Sequence, residues 1–253
     1  MNTRTMGEYL KISRPIDPSC KLPDDVDSSA WRYMDLYKFE SLLGKKALYL
    51  RRGDLLQDRF EGTYSRYQIL KMNEWFEKIK ETHMIESEKV RRSKDRRRSY
   101  ISCWCLGEYD FHLMWKAYIE KPPGIAIKSS VRRLQMICDN AVTHWPLDIS
   151  LVNYFDQAAG KNINYFGTPA IFLNKDRHFQ LDNELRIVHW PNMSEPTPEH
   201  VLLPLKLADL IESIVLQPRS DEDFLSLIRG LLDDSDCKEI PILYSRDDRE
   251  LLE

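Results

Sequence analysis

Residues 31–51 read WRYMDLYKFESLLGKKALYLR and predict two short strands joined by one amphipathic helix. Bulky residues run through Trp31–Met34, which is typical of a strand. In the segment that follows, leucine and phenylalanine recur at helical spacing, and Gly44 is a typical helix end. A second strand, Ala47–Arg51, begins directly afterwards. This segment therefore predicts an alternation of short strands and helices.

The same alternation continues along the chain and predicts the fold class. A long helical pattern begins near Tyr64, and a further helix covers residues 221–232. Other predicted strands are Tyr100–Leu106, Gly124–Lys128, Leu151–Phe155, Leu185–His189, Ser213–Leu216 and Ile240–Tyr244. Because strands and helices are interspersed, we expect an α+β fold: a single mixed domain with a central, partly antiparallel sheet flanked by helices.

The composition is that of an ordinary folded protein, with 42% hydrophobic and 30% charged residues among 253. No apolar run approaches the ~20 residues that a membrane helix needs. The five cysteines are an odd number without an apolar leader, which predicts reduced thiols in a soluble, cytoplasmic protein. A formal charge of -3 argues against broad electrostatic binding of nucleic acid or of an anionic membrane.

Three regions are predicted along the chain. Residues 1–27 combine prolines with aspartates and form an extended N-terminal lead-in. Residues 28–204 form the main α+β domain, and residues 205–253 form a C-terminal strand-helix-strand extension packed on it. Within the main domain, six of the eight residues Arg91–Arg98 are Arg or Lys. This run is either a solvated helix end or exposed loop, or else a patch that contacts phosphates, and a single run on an acidic chain favours the helix end or loop.

Two predicted strands carry polar residues that packing alone does not require. Arg32 points away from its aromatic neighbours, because side chains alternate along a strand. It can present its fixed donors to an anion such as a diphosphate, or pair with a carboxylate in a structural role. In the strand around Ser102, the thiols of Cys103 and Cys105 share the opposite face. No second ligand pair at a recognised spacing accompanies these thiols, so we expect no metal site.

A late strand carries a third group of polar residues. Alternation through Asp182, Glu184 and Arg186 places three charged side chains on one face. Two carboxylates at this spacing suit acid-base chemistry, or the stabilisation of a cation, if the face lines a cleft. If the face is exposed to water, the same residues form a self-neutralising ladder of charges. The spacing favours neither interpretation.

These segments, in this order, resemble the bacterial family catalogued as domain of unknown function 2971. Its members look like this chain in an aromatic-Arg-Tyr start, a Phe-Glu-Gly turn, a Met-Trp-x-x-Tyr segment, a lysine and a Glu-x-Glu-x-Arg-like segment. Here these are Trp31-Arg32-Tyr33, Phe60-Glu61-Gly62, Met114-Trp115 with Tyr118, Lys175, and Asp182 to Arg186. The similarity spans Trp31 to Val188. Asp182 stands where a Glu is usual, and Asp58-Arg59 stands where the family tends to have Asp-Pro.

A second similarity carries an expected function. An Arg on an early strand, a Ser on a middle strand and an acidic-x-Glu sequence on a late strand resemble the Arg-Ser-Glu pattern of ADP-ribosyltransferases. Arg32, Ser102 and Asp182-Asn183-Glu184 occupy these places. The resemblance implies an ADP-ribosyltransferase-like fold and an NAD-consuming enzyme, either an ADP-ribosyltransferase or an NAD glycohydrolase. Such an enzyme would serve as a bacterial toxin or as a phage-defence effector.

The resemblance also implies residue roles, with NAD as the substrate. Glu184 would stabilise the positive charge that develops on ribose as nicotinamide leaves, and Asp182 would position or deprotonate the acceptor. Arg32 would hold the phosphates, Ser102 would hold the ribose, and an aromatic residue would stack on nicotinamide. The acceptor would be a protein or a nucleic acid. The expected NAD-binding residues are Arg32, Tyr33, Glu61, Ser102, Trp115, Tyr118, Lys175 and Arg186.

Other functions stay open on the sequence. A binding module could hold a nucleotide or another anion through Arg32, Lys175 and Arg186 without any chemistry. A metal-dependent phosphodiesterase is disfavoured, because no set of clustered carboxylates and histidines is apparent. For the tryptophans near the polar residues, filling space in the core is the commoner role.

Overall fold

The computed structural model describes residues 19–58, 60–141, 147–156, 170–191 and 197–248. Most of the predicted lead-in, residues 1–27, lies outside the described residues. The described part of the chain forms a mixed α+β fold around a largely antiparallel, nine-stranded sheet, so the predicted fold class is confirmed. Among the described residues, no helix is both long enough and apolar enough to cross a membrane.

Short elements follow one another closely along the chain. The strands are β1 (Ser29–Asp35), β2 (Ala47–Arg52), β3 (Tyr100–Leu106), β4 (Gly124–Ser130), β5 (Leu147–Leu151), β6 (Asn153–Phe155), β7 (Asn174–Asp176), β8 (Glu184–His189), β9 (His200–Pro204), β10 (Ser213–Leu216) and β11 (Ile242–Tyr244). The helices are α1 (Leu36–Lys45), α2 (Arg66–Lys78), α3 (His83–Arg97), α4 (His112–Tyr118), α5 (Val131–Asn140), α6 (Leu207–Leu210) and α7 (Glu222–Asp233). Turns of 3-10 helix occupy Gly53–Leu55, Ala170–Phe172, Arg177–Asp182 and Arg246–Asp248.

The strand order of the main sheet is β11-β10-β4-β1-β3-β2-β9. β8 pairs with β3, and β5 pairs with β8 in turn. β10 pairs with β4, and β11 lies parallel to β10. The strands of the predicted C-terminal extension therefore continue the sheet that β1 and β4 begin. β6 and β7 form a separate parallel pair.

β3 pairs with two different strands along one edge, and this opens a fork in the sheet. β8 pairs with residues Tyr100 to Cys105 and occupies the other edge of β3. Among the described strands, β2 pairs with β3 at residues 100 and 101, and β1 pairs with it at residues 105 and 106. β1 leaves β3 after Trp31, and β2 joins β3 at Arg51. Between these points β1 and β2 diverge, and we call this opening the fork.

Side-chain alternation along β3 assigns its residues to two different cores, as predicted. Tyr100 and Trp104 pack into the large core, which α1, α5 and α7 cover. Ile101 lies on the opposite face with Phe172 and Val188. Both faces of the sheet are therefore covered, and β3 is buried at the centre of the molecule.

The bounds of several elements differ from the prediction, as three examples show. α1 does not stop at Gly44 but continues to Lys45, and Lys46 ends it in the left-handed region with φ 47°. Burial of the preceding leucines outweighs the poor helix propensity of glycine. The helical pattern from Tyr64 forms two helices, α2 and α3, because the chain turns at Lys80 with φ 61°. The predicted strand Leu151–Phe155 divides between the end of β5 and β6.

Gly62 stands at a position that excludes a side chain. Its φ is +66°, and a Cβ atom built on it would lie 2.4 Å from the ring of Phe172. Gly53 approaches the same ring equally closely, so Phe172 fills the space above two glycines. Gly44 differs, because no atom lies within 4 Å of a Cβ built there.

Gly62→Ala is expected to lower the free energy of unfolding by more than ~1 kcal/mol, since the left-handed backbone and the Phe172 ring both oppose a Cβ atom. The matched variant Gly44→Ala is expected to raise it by ~0.5–1 kcal/mol, because alanine is the better helix former. Urea denaturation measures both values. Equal effects at the two positions would contradict the conformation described for Gly62.

Candidate functional site

A cavity of about 640 Å³ opens at the fork. Its size lies within the ~300–1,000 Å³ typical of small-molecule sites. β1, α1 and β2 form one side, and β3, β8 and the 3-10 turn before β8 form the other. Eight of the predicted site residues lie on its walls: Arg32, Tyr33, Glu61, Tyr118, Lys175, Asp182, Glu184 and Arg186.

Arg32 and Glu184 reach the cavity from opposite faces of the sheet. On β1, Arg32 alternates with Trp31 and Tyr33, which pack in a separate cluster with Trp115. Glu184 pairs with Cys105 and therefore projects on the thiol-bearing face of β3. In a continuous sheet these two side chains would be separated by backbone. The fork removes that barrier, so both line one cavity.

The guanidinium of Arg32 bridges the fork. Its Nη1 donates to Ser102 Oγ at 2.9 Å, and its Nη2 donates to the Tyr49 carbonyl at 3.2 Å. β2 does not pair with β3 at Tyr49. The Arg32 side chain therefore donates to a carbonyl that a neighbouring strand would otherwise satisfy. The guanidinium also lies 5.7 Å from the centre of the Trp104 ring. Burial lowers the pKa of Arg32 below its ordinary value.

The positive charge of Arg32 has uncharged hydrogen-bond acceptors. Ser102 offers a hydroxyl and Tyr49 a carbonyl. The sequence left open a structural role in which Arg32 pairs with a carboxylate. Among the described residues, no such ion pair is present. A partly buried guanidinium without a counter-ion favours an anionic ligand in the adjoining cavity.

Two of the predicted site residues stand behind the cavity wall. Ser102 is buried, and its hydroxyl accepts hydrogen bonds from Arg32 and from Trp104 Nε1 at 3.2 Å. Trp115 is also buried, donates to Asp110 at 3.1 Å, and meets the Tyr33 ring edge-on at 4.9 Å. Neither is among the described residues that line the cavity. Ser102 positions Arg32, and Trp115 supports Tyr33.

Five charged side chains gather on the wall opposite Arg32, and we call them the charged cluster: Glu61, Lys175, Asp182, Glu184 and Arg186. Arg186 is at its centre and is almost wholly buried. Its Nε donates to Glu184 Oε2 at 2.7 Å, and its Nη2 donates to Glu61 Oε1 at 2.6 Å. Its Nη1 donates to the Phe172 carbonyl at 2.9 Å. Every nitrogen of the guanidinium therefore has an acceptor.

Lys175 links the carboxylates of the charged cluster. Its Nζ donates to Glu184 Oε1 at 2.5 Å and to Asp182 Oδ2 at 2.8 Å, and lies 3.4 Å from Glu61 Oε1. The ammonium also lies 4.4 Å from the centre of the Phe179 ring. Three carboxylates face two cations, so the charged cluster is left with a negative excess beside the cavity.

The two carboxylates predicted to act in catalysis have pKa values shifted in opposite directions. Burial alone would raise the pKa of Glu184, but the charges of Arg186 and Lys175 outweigh it and lower the pKa to about 2. For Asp182, burial prevails over the hydrogen bond from Lys175, and the pKa lies above its ordinary value. Glu184 is therefore a stable anion, whereas Asp182 takes up a proton more readily.

Asp182 reaches the charged cluster by a route that differs from the prediction. The expected shared strand face with Glu184 is wrong, because Asp182 ends a 3-10 turn and β8 begins two residues later. Asn183 between them has φ 42°, a left-handed conformation that asparagine tolerates better than most residues, and its side-chain amide donates to the Leu106 carbonyl at 2.9 Å. Lys175 nevertheless brings the two carboxylates together.

Several cavity residues had not been singled out from the sequence. They are Tyr37, Lys38, Tyr49, Arg51 and Phe179. The alternation Leu48-Tyr49-Leu50 could have indicated Tyr49, because two buried leucines place the tyrosine between them on the other face. Tyr154, whose hydroxyl accepts the backbone N–H of Glu184 at 2.9 Å, carried no such signal.

The thiols beside the charged cluster are poor nucleophiles. Burial raises the pKa of Cys103 to about 12, and it raises the pKa of Cys105 as well. All five cysteines are within the described ranges and none is in a disulfide. In those same ranges, no group of three or more His, Cys, Asp or Glu side chains is arranged to hold a metal ion.

Glu184→Gln removes the carboxylate whose pKa is lowered to about 2. Its ion pairs stabilise the fold above the ordinary pKa of 4.5, and this contribution is lost as the pH falls from 4.5 towards about 2. We therefore expect Glu184→Gln to lower the free energy of unfolding by ~3 kcal/mol near neutral pH, and the difference from wild type to shrink in acid.

Urea denaturation across this pH range measures that difference. Glu239→Gln, at an exposed position away from the cavity, is the control and is expected to differ little from wild type at any pH. A constant difference between Glu184→Gln and wild type down to pH 2 would contradict the ion pairing described for Glu184.

The sequence resemblances described above rest on short motifs in a fixed order. Comparisons with models of protein families, with curated proteins and with solved structures find nothing that matches this chain. Membership of the domain of unknown function 2971 family, and similarity to ADP-ribosyltransferases, therefore stay predictions. The case for a function rests on the geometry of the fork and of the charged cluster.

Proposed function

We propose that the cavity binds NAD or a related dinucleotide and that the protein cleaves the bond between nicotinamide and ribose. The observation that carries this proposal is the placement of Arg32 and Glu184 on one cavity. A dinucleotide needs a cation for its diphosphate and a carboxylate for the charge that develops when nicotinamide leaves. The products would be nicotinamide and ADP-ribose, which would be free if water is the acceptor and attached to the acceptor otherwise.

Arg32 suits the diphosphate. A guanidinium has five N–H donors, and two of its nitrogens are used for Ser102 and Tyr49. These two contacts hold its plane in place, so little side-chain entropy is lost when an anion binds. Arg51 lines the same cavity and adds positive charge on the side away from the charged cluster, whereas Lys38, which also lines it, pairs with Asp35 at 3.0 Å.

Glu184 suits the developing positive charge. As the C–N bond breaks, its electron pair stays on the nicotinamide nitrogen, and C1′ of ribose becomes cationic. Glu184 stays ionised because its pKa is about 2. A carboxylate has about four lone-pair sites, and Lys175 and Arg186 use two of them, so Glu184 can also accept a hydrogen bond from a ribose hydroxyl.

Asp182 and two tyrosines complete the proposed reaction. Water or another acceptor adds to C1′, and the proton it loses passes to Asp182, whose raised pKa suits a general base. Tyr33 and Tyr118 line the cavity and are two of the aromatic residues available to stack on nicotinamide. Trp115, the other aromatic residue predicted to stack on it, lies behind Tyr33.

A binding module is the second candidate, and one observation favours it. Both oxygens of Glu184 already accept strong hydrogen bonds from cations. In such a module, Arg32 would hold a nucleotide or another anion while the charged cluster served only to shape the wall. Binding without turnover distinguishes this candidate from the enzyme.

Nicotinamide release from NAD tests the proposed enzyme. Wild type is expected to release nicotinamide, and Glu184→Gln to lower the rate by ~100-fold or more, because the amide cannot offset a positive charge. Asp182→Asn is expected to lower it less, and Glu239→Gln to leave it unchanged. Circular dichroism and NAD binding establish that each variant is folded. Wild type that binds NAD and releases no nicotinamide would contradict the enzyme and favour the module.

Arg32→Lys tests how the diphosphate is held. The lysine keeps the charge but cannot serve Ser102, Tyr49 and an anion together, so the dissociation constant for NAD is expected to rise by ~10-fold or more. Arg133→Lys is the matched control, because Arg133 also donates to backbone carbonyls, at 2.8 and 3.2 Å, and does not line the cavity. Calorimetric titration with NAD measures both; equal affinities in the two variants would contradict the role of Arg32.

A further inference from the structure

The end of α3 carries a basic surface that the NAD site does not use. Residues 89–98, which we call the basic segment, hold seven Lys or Arg and one Asp in a chain whose formal charge is -3. α3, described along its whole length, has no buried side chain. Packing into a core therefore does not explain this composition. One or two cations would suffice to complement the helix dipole.

Two arginines of the basic segment fasten it to the fold. Arg91 pairs with Glu88 and with Asp95, and its Nη2 lies 3.4 Å from the Tyr64 hydroxyl. Arg92 lies 5.6 Å from the centre of the Tyr64 ring. These contacts join α3 to the residues that precede α2. They also fix which side of α3 faces the protein.

Three further cations of the basic segment are Lys89, which lies 3.7 Å from Glu86 Oε2, Lys94, and Arg97, whose Nη1 donates to Ser93 Oγ at 3.2 Å. Lys89 and Lys94 are exposed, and Arg97 is half-buried one turn beyond Lys94. At 3.6 residues per turn, Lys89, Lys94 and Arg97 span about 140° of the helix surface; Asp95 lies outside that sector, and Arg91 lies about 60° from Lys94. From Lys89 to Arg98 the segment spans about 13 Å at ~1.5 Å per residue, which matches about four phosphates along one strand of a duplex.

The basic segment lies beside the cavity. The backbone of Gly53 packs against the Arg96 carbonyl, and the Gly53 N–H donates to the Ser99 carbonyl at 2.8 Å. Gly53 begins the 3-10 turn Gly53–Leu55, and the residues directly after that turn, 56–58, line the cavity. Arg51 is exposed, lines the cavity and pairs with β3 near its start, so it extends the positive charge from the basic segment to the fork.

We propose that the outward face of the basic segment binds the phosphate backbone of a nucleic acid. Cations spread over a broad sector of the helix match a polymeric anion rather than a single phosphate. A lipid surface would require an apolar face as well, and Val90 is the one apolar residue in residues 89–98. This binding does not depend on the NAD reaction, because Lys89, Lys94 and Arg97, on which it rests, do not line the cavity.

Fluorescence anisotropy of a labelled 20-nucleotide strand, as DNA and as RNA and in the absence of NAD, tests the proposal. The triple variant Lys89→Gln/Lys94→Gln/Arg97→Gln is expected to bind ~10-fold or more weakly. The slope of the logarithm of its binding constant against the logarithm of the salt concentration is expected to fall by the equivalent of about two to three phosphate contacts. The control variant Lys116→Gln/Lys206→Gln/Lys238→Gln removes the same charge from exposed positions elsewhere and is expected to bind like wild type.

Two results would overturn the proposal. If wild type binds neither oligonucleotide at low salt, nucleic acid is not the partner. If the two triple variants bind equally weakly, binding depends on the net charge of the protein and not on the basic segment. Co-sedimentation with vesicles that contain phosphatidylserine is the parallel measurement. Binding to those vesicles in preference to both oligonucleotides would make a membrane the partner instead.

Discussion

The divergence of β1 and β2 along one edge of β3 is the constraint on which the candidate site depends. A sheet normally separates the side chains on its two faces by a continuous layer of hydrogen-bonded backbone. Here the layer is interrupted at residues 102–104, so side chains from both faces meet. The interruption leaves polar backbone groups to satisfy, and Arg32 serves one of them. The residue that closes the fork is thus also the one proposed to bind the ligand.

The charged cluster holds Glu184 in place at the cavity wall, which an apolar cluster of the same volume would not do. Burying ions is costly, and a well-packed apolar core of the same volume is often at least as stable as a buried ion pair. The arrangement of Arg186 and Lys175 around Glu184 keeps this carboxylate ionised at the cavity wall. Removal of one partner leaves the others unpaired, which makes the cluster strongly cooperative.

Much of the fold could be predicted from the sequence, because period-two alternation and amphipathic helices are local signals. Tyr100–Leu106 was predicted with its observed bounds, and the opposite facing of Ser102 and Cys103 followed from alternation. The fork could not be predicted, since it depends on which strands pair along β3. For the same reason Ser102 was expected at the ligand, whereas it holds Arg32. Asp182 was misplaced because the left-handed Asn183 leaves no periodic signal.

Phe172 couples parts of the molecule that are distant in sequence. Its ring fills the space above Gly53 and Gly62, and its carbonyl accepts from Arg186. A smaller side chain at position 172 would remove the closest obstacle to a methyl group at position 53 and leave only the tight contact of 3.0 Å with the Arg96 carbonyl, whereas the left-handed backbone would still restrict position 62. Among related sequences, we therefore expect a side chain at position 53 only where position 172 holds a smaller residue than phenylalanine. Position 62 should remain glycine whatever residue stands at position 172.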